Sequence, residues 1–111
     1  MTEALLQLEQ SAHTCTTLDL HGPQELRRII NQVYYLIEQH YRGGDGSEVL
    51  NDVLTQLREA EQSLDSLKPE ENTVADWKYN LQTFSNAKAE ILYSLNRMQA
   101  AIRFDKLHLT L

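Results

Sequence analysis

The chain has 111 residues, 41% hydrophobic and 23% charged, a balance that excludes a disordered chain and allows one core but not two. Its net charge of −6 at pH 7, with Arg27-Arg28 the one adjacent basic pair, argues against nucleic acid and acidic membranes, which both demand clustered positive charge. A single cysteine, Cys15, cannot close an internal disulfide, and neither a signal-peptide pattern nor a bilayer-spanning apolar run occurs, so the expected setting is cytoplasmic.

The four glycines and two prolines fall between periodic segments, a pattern that favours a few long helices. The first helix is expected from about Thr2 to Thr16, with Thr2 as its cap and Leu5, Leu8, Ala12 and Cys15 as its stripe. It is the weakest element, because the run Thr14-Cys15-Thr16-Thr17 disfavours helix. Residues 18–22 read as a connection, and Gly22-Pro23 opens a second helix that continues to about Tyr41. Leu26, Ile29, Ile30, Val33, Tyr34, Leu36, Ile37 and Tyr41 cover a wide arc of it, as expected of a helix touching two neighbours. The run Gly43-Gly44-Asp45-Gly46 ends it in a turn.

A third helix is expected from Ser47, its cap, with a seam of Leu50, Val53, Leu57, Ala60, Leu64 and Leu67. The run Lys68-Pro69-Glu70-Glu71-Asn72 breaks it. The fourth helix then runs from Asn72 to about Phe104, capped by Asn72 or Thr73, with Asp76 near its positive end. Its apolar positions are Val74, Trp77, Leu81, Phe84, Ile91, Leu95, Met98 and Ile102, one coiled-coil-like seam interrupted by Lys88.

These elements predict an all-α fold: a single helical domain over residues 1–111, an antiparallel four-helix arrangement containing a helical hairpin over 47–104. A turn of about four residues at Pro69 makes the last two helices adjacent and antiparallel. Counting outward from that turn sets Glu61 beside Lys78, Lys88 beside Asn51 and Asp52, and Trp77 and Phe84 against Ala60 and Leu57. In this register the third helix begins opposite Leu92, which leaves Leu95, Met98 and Ile102 without cover. Burying such side chains contributes roughly 1.5–3 kcal/mol each, so a cover is expected. The first helix, the segment from Phe104 to Leu111, or a second copy of the chain could supply it. The tail Leu107-His108-Leu109-Thr110-Leu111 alternates as a short extended strand or a docking arm would.

For chemistry the residues offer little. His13, His21, His40 and His108 lack the spacing of a helical metal site, and His13 and Cys15 diverge on their helix. Cys15 lies on an apolar stripe, where a thiol is inert. The glycine run lacks the strand and lysine of a phosphate loop, and the pairs Glu59/Glu61 and Glu70/Glu71 read as solvated charge. No catalytic residue, metal or cofactor is therefore expected. The expected function is a non-enzymatic interaction or adaptor module, pairing as a homodimer or with a helix of another protein through Leu95, Met98, Ile102 and Phe104. Tyr35, off the main stripe of its helix, joins that list as an exposed contact. A regulatory or nucleic-acid-associated subunit is the alternative. The Pro69 turn between two amphipathic helices, the second overhanging, also resembles the small self-assembling proteins of bacterial secretion needles. That resemblance is one of architecture and implies a secretion-associated helical protein.

Overall fold

The three-to-four spacing of apolar residues becomes four helices in the computed structural model, which describes residues 2–15, 21–41, 47–104 and 107: α1 (Thr2–Thr14), α2 (His21–His40), α3 (Ser47–Asp65) and α4 (Val74–Arg103). They form an all-α bundle, 49 × 22 × 20 Å, in which α3 and α4 make the most extensive contact. The expected turn at 43–46 and the tail beyond Leu107 lie outside the described residues, as do the side chains of Thr2 and Ser47.

Helices α1, α2 and α3 bury most of the stripe that their sequence marks, and α4 buries its apolar seam residues from Phe84 to Met98. Leu5, Ala12 and Cys15 of the α1 region, Leu26, Ile29, Ile30 and Val33 of α2, and Val53, Leu57, Ala60 and Leu64 of α3 meet Phe84, Ile91, Leu95 and Met98 of α4 in one core. Helix α2 begins two residues before Pro23, which costs nothing in a first turn where the N–H has no helical acceptor. The Cys15 thiol donates to the Gly22 carbonyl at 3.3 Å, tying the end of α1 to the start of α2. Helix α4 is capped by Thr73, whose extended backbone lets its hydroxyl accept from the Asp76 N–H at 3.0 Å. Asp76 reaches back to accept from the Asn72 N–H at 3.2 Å.

The connection from α3 to α4 is not the tight turn expected at Pro69. Residues 66–73 run as a strap along the first turns of α4, held by Asn80. This buried side chain accepts from the Lys68 N–H at 2.8 Å and donates to the Lys68 carbonyl at 3.0 Å and to Glu71 at 3.2 Å. The Lys68 ammonium adds a 2.8 Å ion pair with Asp76 and stands 5.2 Å over the Tyr79 ring. The strap slides α3 along α4 by roughly two to three turns from the expected register.

Two expected contacts, Lys88 with Asp52 and Glu61 with Lys78, are corrected by that slide. Asp52 is met by Arg97 at 3.0 Å and by the Tyr93 hydroxyl at 2.7 Å, in place of Lys88. Glu61 faces α2, beside Arg27, Ile30 and Asn31, in place of Lys78. Lys88 donates to the His13 carbonyl at the end of α1, at 3.1 Å. The ion pair of Arg27 with Asp65, at 2.9 Å, and the groove that brings Asn31 to Glu61 set α2 antiparallel to α3.

Candidate interaction surface

The same slide relocates the open part of the α4 seam. Helix α3 has 19 residues, about 28 Å, against 30 residues and about 45 Å for α4, so an overhang exists as expected. It lies at the N-terminal end of α4, not at its C-terminal end. Helix α1 and Leu107 join α3 around the last turns of α4, and Gln99 donates to Glu9 of α1 at 3.0 Å.

Of the residues expected to carry the contact, Leu95 and Met98 are 0% exposed within a single chain and therefore belong to the core. Ile102 is half-buried and packs against that core. Phe104, 69% exposed, and Tyr35, 55% exposed, are at the surface. These five residues do not form one exposed face, because Leu95 and Met98 point into the core.

What stands open instead is Val74, Trp77 and Leu81, at 69%, 48% and 41% exposure. They occupy the positions i, i+3 and i+7 of α4, so they share one side of it. Below them Phe84, Ile91, Leu95 and Met98 continue the seam fully under cover. Lys88, the polar interruption, marks where α1 takes over, since it is bonded to the last turn of that helix. The open stripe is thus the upward continuation of a face that α1 occupies lower down. Lys78 borders it and makes no ion pair or hydrogen bond among the described residues.

Two shallow grooves elsewhere carry cations that already have partners. One shallow groove is lined by Arg27, Ile30, Asn31, Glu61 and Asp65, with Arg27 held by Asp65. A second runs between α1 and α2 past Leu8, Ser11, Arg28 and Leu36, with Arg28 held by Glu25 at 2.6 Å. Burial pushes the Tyr34 phenol up to about 12, and the neighbouring Glu61 carboxylate adds to that effect. Burial also raises the Glu90 carboxyl above its ordinary value, opposed by the Ser63 hydroxyl that donates to it at 3.2 Å and reinforced by the charge of Glu59. Among the described residues no three His, Cys, Asp or Glu side chains gather as metal ligands would, and no helix is long and apolar enough to cross a membrane.

The spacing of Val74, Trp77 and Leu81 marked them as seam residues; what residue types could not show was which end of the seam stays bare. Asn80 was the available signal, an amide on the core-facing flank of an amphipathic helix, where a buried polar group implies a specific partner. No protein-family model matches this chain, and no curated protein or solved structure matches it either.

Proposed function

We propose that this protein is a non-enzymatic interaction module that binds a helical segment along the first two turns of α4. One observation carries the reading: a single apolar seam is fully buried from Phe84 to Met98 and bare from Val74 to Leu81. Covering the exposed fractions of Val74, Trp77 and Leu81 is worth roughly 3–4 kcal/mol, and a contiguous apolar stripe of this kind marks contact sites on soluble proteins. Tryptophan at the centre of the stripe suits it as an anchor. The pairing of Arg27, Arg28, Lys68 and Arg97 with carboxylates favours this reading over a nucleic-acid-associated subunit, which would keep its cations free for phosphate. Self-pairing through Leu95 and Met98 loses its basis, since both are consumed within one chain.

A photoreactive phenylalanine analogue placed at position 77 of the full-length protein, in the cells that make it, tests the proposal. A discrete cross-linked adduct is expected there, and it should vanish when Leu81→Asp is added. Absence of any adduct at 77, with the analogue at 35 as comparison, would remove the site.

A further inference from the structure

Resting on that reading, we infer that the occupant of the stripe is an amphipathic helix of another protein, about three turns long, with a carboxylate that meets Lys78. The shape argument comes from α1. Lys88 lies on the same seam and is bonded to the His13 carbonyl, and Gln99 further down is bonded to Glu9, so the lower part of this face is lined by a helix. That helix ends at Thr14, whereas the face continues to Val74. Val74, Trp77 and Leu81 continue the side of α4 that α1 contacts lower down, so a helix laid along them lies on α4 as α1 does. A helix contacting positions 74, 77 and 81 engages them by its own apolar residues at three-to-four spacing.

The charge argument comes from Lys78. Its neighbour Lys68 is satisfied by Asp76 and by the Tyr79 ring, whereas Lys78, on the edge of the stripe, has no partner among the described residues. Flanking charges of this kind select partners by complementarity. They also argue against a second copy of this chain. The midpoint of the stripe falls at residues 77–78, so a two-fold antiparallel pairing sets each Lys78 against its own mate. A parallel pairing instead drives the two α1 helices into each other, because α1 occupies the lower half of the shared face.

The test uses the single tryptophan, Trp77, as its own reporter in the full-length protein. The probes are two synthetic helical peptides with leucines at three-to-four spacing, one flanked by glutamates and one by lysines. The glutamate peptide is expected to shift Trp77 emission to the blue saturably, at least tenfold more tightly than the lysine peptide. Lys78→Glu should invert that preference while leaving the thermal melt unchanged, since the side chain is exposed. Equal affinity for both peptides, abolished by Leu81→Asp, would overturn the carboxylate and leave the apolar site standing. Silence with both peptides, together with no adduct at position 77, would remove the site itself. A blue shift that grows with protein concentration in the absence of peptide would make the occupant a second copy and overturn the inference.

Discussion

Replacing Asn80 by alanine tests the strap that determines the register of the hairpin. The amide makes three hydrogen bonds, two to the Lys68 peptide and one to Glu71. Each is worth a net 0.5–1.5 kcal/mol or so, and water can reach the exposed Lys68 and Glu71 ends, so the combined loss is about 2 kcal/mol. Alanine returns roughly 0.5 kcal/mol through its better helix propensity. For a domain near 100 residues, about 4 °C per kcal/mol converts the net loss to a fall of roughly 6 °C in Tm. Thermal unfolding followed by circular dichroism measures the fall, and amide exchange at Lys68 measures its local origin. The N–H of Lys68 should become the most deprotected amide of the variant relative to wild type. An unchanged Tm with unchanged exchange at Lys68 would mean that Asn80 does not hold the strap, and the register argued from it would fail.

Two further substitutions address the core and its charge. Leu95→Ala, at a side chain with no exposure, should cost about 2–5 kcal/mol in urea unfolding at low protein concentration; a cost below about 1 kcal/mol would place Leu95 at a surface instead. Glu90→Gln should raise the Tm at pH 7, because the folded state holds the Glu90 proton more tightly than the unfolded chain does. With the folded value raised, the wild type keeps the contribution of protonated Glu90 below the ordinary value of 4.5 and loses it as pH rises through the folded value. The two proteins should therefore converge in stability below pH 4.5, and a gap that persists there would assign the effect to something other than titration.

Much of the fold is legible in residue order because amphipathic periodicity is a local property. Leu5, Ala12, Leu26, Ile29, Val53, Leu57 and Ile91 sit where their spacing puts them, inside. Register is different, since two regular seams pack acceptably at several offsets and the connection chooses among them. Here the choice depends on hydrogen bonds between one amide side chain and the backbone twelve residues earlier, a contact with no periodic signature. Lys88 illustrates the same limit. A lysine interrupting a seam invites pairing with an acid, yet the negative end of a helix satisfies it equally well, and a carbonyl is present at every residue whatever its type.

The consequence for function is one of position, not of kind. An excess of seam on α4 follows from its length alone and survives any change of register. The offset decides which residues form that excess, and a slide of two to three turns exchanges Leu95 and Met98 for Val74, Trp77 and Leu81. Because α1 then closes the C-terminal half of the face and stops near Lys88, the remainder toward Val74 stays open. In the proposed reading, the short reach of α1, which ends at Thr14, is what leaves the first turns of α4 to another protein.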